Sequence, residues 1–259
     1  KRILLVLTGL LPILSIAQSN QRREIPYFQC QVPDRSGISY LPLQDYSVDV
    51  KIAGIIADVQ LKQTFVNSFN TPLEVTYVFP GSVNSAVYGL EMKIGERTVV
   101  ANIEKRNEAR QIYQTAVQDG HRASLLEQVR PNVYQMMVGN IMPQDTIEVL
   151  LKYTEYVENQ DDTYQLLVPT TIGDRYSGEN RRRESMPVDP AYITGSRSPY
   201  PLHISVNLAS PVPINQVNSN THKIDLNVLD QNHWKIDLNP SETYAANRDF
   251  ILNYRLRGD

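Results

Sequence analysis

The chain has 259 residues, room for one large domain or two ordinary ones. Hydrophobic residues make up 41% and charged residues 20%, a globular composition that excludes a disordered chain. A net charge of −3 and a pI near 5.9 exclude the basic surface that nucleic acid needs.

The chain opens with Lys1-Arg2 and the apolar run ILLVLTGLLPILSIA, which ends in small residues at Ser15 and Ala17. This reads as a secretory signal peptide over 1–17, cleaved after Ala17. A membrane anchor is the rival, but the run is roughly 15 residues against the ~20 a bilayer needs, and Pro12 interrupts it. Cys30 is the single cysteine, so the core and not a disulfide set must hold an exported chain together. Tyr27-Phe28-Gln29 before it lack the small residues of a lipoprotein box, and no Asn-x-Ser/Thr sequon occurs. These features point to a bacterial exported protein. The chain begins without Met, which predicts a missing first residue.

Residues 18–40 are polar, with Pro26, Pro33 and Gly37, and read as a linker. From there the alternation of a half-buried strand takes over. Val48, Val50 and Ile52 alternate with Ser47, Asp49 and Lys51. After Gly54, the residues Ile55, Ala57, Val59, Leu61 and Phe65 line one face of a long strand. Further strands are expected over 73–79, closed by Pro80-Gly81, and over 88–94 and 97–103, joined by a tight Gly95-Glu96 turn.

One helix stands out, at about 104–119. Ala109, Ile112, Tyr113, Ala116 and Val117 form one apolar stripe, and Gly120 is a natural left-handed cap. Strands come next at 123–129 and 133–141 around Arg130-Pro131-Asn132, then at 146–156 and 164–168. Residues 177–200 form a polar loop rich in Arg, Ser, Pro and Gly. Strands resume over 201–259 as an accessory β segment, and the last runs to the end with no closing element. More protein is therefore expected downstream. The fold class is mainly β, an antiparallel sandwich or barrel-like module with one amphipathic helix.

Several stretches together resemble the vault protein inter-α-trypsin (VIT) domain over 41–176. They are Gln63-Thr64-Phe65-Val66-Asn67, Tyr77-Val78-Phe79-Pro80, Tyr88-Gly89-Leu90-Glu91-Met92, Glu108-Ala109-Arg110 with Tyr113, and Leu125-Leu126-Glu127. Arg130-Pro131-Asn132-Val133, Val138-Gly139-Asn140-Ile141 with Pro143, and the run from Pro169 to Tyr176 complete the set. The resemblance implies a family structural motif of Glu108, Ala109, Arg110, Tyr113, Leu126, Glu127, Arg130, Pro131, Asn132, Asn140 and Pro143. The segment after 200 is similar to the region downstream of VIT in proteins that continue into a von Willebrand factor A domain. Ser219 to Ile224 and Arg248 to Leu252 carry that likeness, and no Asp-x-Ser-x-Ser metal motif occurs.

Catalytic signatures are missing from the sequence: no G-x-S-x-G, H-E-x-x-H or P-loop pattern is present. His121, His203, His222 and His233 lack metal-ligand spacing, and His222 reads as a structural hydrogen-bonding residue. Arg181-Arg182-Arg183 is flanked by Glu179 and Glu184 and reads as a solvated loop, Asp161-Asp162 as a solvated turn, Met136-Met137 as core, and Arg257-Gly258-Asp259 as a coincidental tripeptide. The expectation is a non-catalytic exported module without cofactor or metal. It would bind a protein or matrix component, meet the membrane only during export, and scaffold a downstream A-type domain. Two rivals remain, a hydrolase using Glu127 or His222 and a purely structural support for a downstream effector.

Overall fold

The computed structural model describes residues 25–33, 37–80, 84–101, 126–130, 133–170, 200–243 and 245–258, with backbone alone for 126–130 and for Pro80, Val133 and Asn247. The predicted helix at 104–119 lies outside these residues, as do the signal peptide and the polar loop except for its last residue, Tyr200.

The alternation read from the sequence becomes three sheets. The largest has the order β15-β16-β13-β3-β4-β10-β6-β7. Its members are β3 (Leu43–Ala53), β4 (Ile56–Val66), β6 (Ser85–Ile94), β7 (Arg97–Val100), β10 (Thr146–Tyr156), β13 (Leu202–Ala209), β15 (Ile224–Val228) and β16 (His233–Leu238). A second sheet has the order β2-β1-β5-β9-β8, from β1 (Tyr27–Cys30), β2 (Ser39–Tyr40), β5 (Leu73–Pro80), β8 (Leu126–Arg130) and β9 (Val133–Ile141). The third runs β11-β12-β17-β14, from β11 (Glu158–Gln160), β12 (Thr163–Val168), β14 (Ile214–Asn218) and β17 (Phe250–Leu256). Both smaller sheets pack on the large one. Phe28 of β1 meets Phe65 of β4 edge-on at 5.0 Å, and Tyr254 of β17 donates to the Gly54 carbonyl at 3.0 Å.

Register explains why the core is continuous. Ile204, Val48, Leu61, Leu151 and Leu90 are cross-strand neighbours on five adjacent strands, and all are buried. Such side chains each contribute roughly 1.5–3 kcal/mol of transfer free energy. The β3–β4 turn places Gly54 at φ 63° and the β6–β7 turn places Gly95 at φ 57°, glycine-first turns that suit the twist of tight hairpins. Asp161 and Asp162, exposed at φ 48° and 60°, make the β11–β12 turn.

Two features differ from the sequence reading. Residues 18–40 were expected as a linker, yet 27–30 and 39–40 are strands, with Ile25, Phe28 and Cys30 in the core. Only two residues of β1 face inward, too few for alternation to be seen. Met136 is core as expected, but Met137 is 53% exposed, because neighbours on a strand face opposite ways. The segment after 200 adds β13 to the large sheet beside β3, in the one parallel pairing among the described strands.

Candidate functional site

The inward face of β4 carries Ala57, Val59, Leu61 and Phe65. Gln63 and Asn67 occupy the same period-two series, and both are fully buried. A buried amide must find partners or cost roughly 1–3 kcal/mol. Gln63 donates through Nε2 to the Pro26 carbonyl at 3.1 Å and accepts the Tyr77 hydroxyl at 2.9 Å. It thereby clamps the start of β1 to the large sheet. Burial holds the Tyr77 hydroxyl far above its ordinary pKa, so it remains a donor.

Asn67 organises the end of β4. Its Nδ2 faces the carbonyls of Thr71, Ile141 and Met142 at 3.1, 3.1 and 3.0 Å, and its Oδ1 accepts the Phe69 amide at 3.0 Å. Its backbone accepts Gln144 N–H at 2.8 Å and donates to Asp145 O at 2.9 Å. These bonds hold the β9–β10 turn. Asp145 N–H closes on Met142 O at 3.1 Å, with Pro143 second and Gln144 third at φ 68°. Proline second and a left-handed residue third define a type II turn.

Asn140 lies just upstream at φ 63°. There Leu73 pairs with Ile141 but Val75 with Val138, so Gly139-Asn140 forms a bulge. Arg97 reaches the Gly139 carbonyl at 3.2 Å, tying the two larger sheets together. Asn140 and Pro143 are thus brought beside Asn67, a partner that sequence alone does not single out. Leu126, Glu127 and Arg130 lie on β8, with Leu126 opposite Met136 and Glu127 opposite Gln135, and only their backbone is described. Glu108, Ala109, Arg110, Tyr113, Pro131 and Asn132 lie outside the described residues.

A second polar network closes the other end. Tyr46 donates to Pro169 O at 3.2 Å and Tyr200 to Thr170 O at 2.7 Å. Thr170 donates its amide to Asp249 at 3.2 Å and its hydroxyl to the Arg248 carbonyl. Beside it, His222 is 5% exposed, with Nε2 2.8 Å from Ala245 O and Nδ1 3.0 Å from the Thr221 hydroxyl. A carbonyl only accepts, so Nε2 carries the proton. Thr221 then donates to Nδ1 while accepting Ile251 N–H at 3.0 Å. Burial lowers the His222 pKa, which keeps the ring neutral. Arg248 meets Glu242 at 2.9 Å, and the Lys223 amide meets the other Glu242 oxygen at 2.7 Å.

These groups brace backbone and leave little for chemistry. Both His222 nitrogens are engaged. An open groove of about 740 Å³ is lined by Asp49, His203, Ser205, Asp237 and Glu242 among others. In it Ser205 donates to Asp237 at 2.7 Å, and Lys235 meets the same carboxylate at 3.1 Å. His203 instead lies 4.0 Å from Asp45. Among the described residues no three His, Cys, Asp or Glu side chains gather to hold a metal. Cys30 is buried, and burial pushes its thiol up to about 11, which suppresses the thiolate.

Residues 43–153 match the family model of the Vault protein inter-alpha-trypsin domain. The chain is similar to human von Willebrand factor A domain-containing protein 5A, at 30% identity over 184 residues, covering 70% of this chain and 23% of that protein. It is similar to mouse protein mono-ADP-ribosyltransferase PARP4, at 28% identity over 187 residues, covering 71% of this chain and 9% of that protein. The chain thus spans less than a quarter of the length of either relative. Among solved structures it is similar to an M1 zinc metallopeptidase from Deinococcus radiodurans, with a TM-score of 0.42 and 10% identity over 83% of this chain and 42% of that one.

Proposed function

The chain belongs, through residues 43–153, to the Vault protein inter-alpha-trypsin domain family, and from that premise we propose that it is an exported, non-catalytic module for protein–protein or matrix interaction. The family match carries the reading. A relative named for a von Willebrand factor A domain supports the further step that this module scaffolds such a domain within the same protein. Export rests on Lys1-Arg2 and the apolar run up to Ala17. The use of buried polar groups supports the non-catalytic part. Gln63, Asn67, Thr170 and His222 spend their hydrogen bonds on backbone and neighbouring side chains.

The test joins binding to turnover. The purified chain is immobilised and exposed to solubilised envelope and matrix proteins of its own source. The same preparation is assayed with ester, peptide and glycoside reporter substrates. Saturable retention of a defined protein without turnover is the expected result. Turnover abolished by His222→Gln in a folded chain overturns the reading in favour of a hydrolase. The scaffolding step predicts an Asp-x-Ser-x-Ser metal motif in the downstream reading frame.

A further inference from the structure

β15 is one edge of the eight-stranded sheet. Its hydrogen-bond phase is set by its hairpin with β16. Asn239 N–H donates to Lys223 O at 3.0 Å, and Leu229 N–H donates to His233 O at 3.0 Å. Bonded and non-bonded pairs alternate along an antiparallel ladder. Lys223, Asp225, Asn227 and Leu229 therefore face β16. Ile224, Leu226 and Val228 direct their amides and carbonyls outward, and no hydrogen bond from the described residues reaches them.

Edge strands are ordinarily guarded by charged side chains, lysine above all, by proline, a bulge or a covering segment. β15 reads Ile-Asp-Leu-Asn-Val in regular register, with the single charge of Asp225 and neither lysine, proline nor bulge. Beyond the half-buried Ile224, its side chains are uncovered as well. Leu226 lies opposite Ile236, which is fully buried, yet Leu226 is 45% exposed, and Val228 on the same face is 55% exposed. The core face of the sheet thus runs out into solvent at this edge.

We propose that β15 pairs antiparallel with β15 of a second copy of this chain, about a two-fold axis through Leu226. The strand is self-complementary in that register. Leu226 meets Leu226 and Ile224 meets Val228, so every outward N–H finds an outward carbonyl. Apolar side chains then shield apolar ones on one face. On the other face Asp225 meets Asn227 of the second copy, which avoids a second like-charge contact for Asp225, already opposite Asp237 within its own sheet. The eight-stranded sheet continues across the axis. This surface is separate from the partner binding proposed above, and either can fail without the other.

Sedimentation of the exported form, residues 18–259, over micromolar to millimolar concentration tests it. A reversible monomer–dimer equilibrium is expected. Leu226→Lys places a charge on the axis and should weaken the dimer at least about tenfold, with circular dichroism unchanged. Asn227 distinguishes this register from a fold effect, because within its own sheet it faces Lys235. Asn227→Asp should therefore suit the hairpin but loosen the dimer, and Asn227→Lys should strain the hairpin but tighten the dimer. A chain that is monomeric throughout, or a dimer indifferent to Leu226→Lys, overturns the proposal. So does a dimer that Asn227→Asp tightens.

Discussion

Two polar residues on an apolar face do more for this molecule than their size suggests. Asn67 serves three carbonyls and one amide through a single side chain, all around the β9–β10 turn. Asn67→Ala strands those groups with little room for water. The expected loss is about 3 kcal/mol, a fall in Tm of roughly 6–12 °C. A urea titration checks it, and a loss under about 1 kcal/mol would show that the turn holds itself. Gln144 makes the opposite case. It is exposed and adopts φ 68°, a region that costs a residue with Cβ roughly 1–2 kcal/mol. Its useful bond, to the Asn67 carbonyl, comes from the backbone and survives substitution. Gln144→Gly should therefore stabilise the protein by about 0.5–1 kcal/mol after the entropy that glycine costs. A lower urea midpoint would mean that the side chain itself matters.

At the element scale, β4 and β1 make an instructive contrast. The face Ala57, Val59, Leu61 and Phe65 was legible because alternation repeats over many residues, although Ile55, read with it, lies in the turn before β4 and is 42% exposed; the hairpins were legible because Gly54 and Gly95 mark them. β1 was not, since Phe28 and Cys30 alone face inward and its partner β5 lies far along the chain. A signal for it was nonetheless present. Gln63 interrupts the apolar series of β4, and a polar residue at a core position needs a partner brought from elsewhere. That partner is the Pro26 carbonyl, with Tyr77 completing the set. Tyr77→Phe should cost about 1–3 kcal/mol by leaving the Gln63 oxygen unsatisfied. Because Gln63 then loosens its hold on β1, the amides of 27–30 should lose hydrogen-exchange protection before those of β10. Equal loss in both strands would show that β1 is held by Phe28 packing alone. The turn motif around Asn140 and Pro143 was legible as sequence, but its dependence on Asn67 was not, because that contact spans most of the matched domain.

At the scale of the whole molecule, alternation predicts strands without naming their neighbours. Nothing in Leu202, Ile204, Val206 and Leu208 announces a parallel pairing with Tyr46, Val48, Val50 and Ile52. That pairing makes residues after 200 part of the same sheet as the matched domain, and the His222 network secures the far end of it. Burial lowers the His222 pKa, although the Ala245 carbonyl opposes it. Glu242 is also lowered: burial raises it, but the Lys223 amide and the Arg248 guanidinium outweigh that. The signs agree. The unfolded His222 binds its proton below about 6.5 while the folded ring resists, so stability is full above that pH and declines as pH falls beneath it. Glu242 contributes above its unfolded value, and that contribution is lost as pH drops through its lower folded value. Acid should therefore weaken the fold in two stages, histidine first. Urea midpoints between about pH 7.5 and 5 should fall for the native chain, while His222→Gln, less stable at the upper end, should show a flatter slope over that window. The exposed His203 and His233 are present in both proteins, so the difference isolates the buried ring. An identical slope in the two would mean that protonated His222 is accommodated, and that the network at Thr221, Ala245 and Arg248 yields without loosening the sheet.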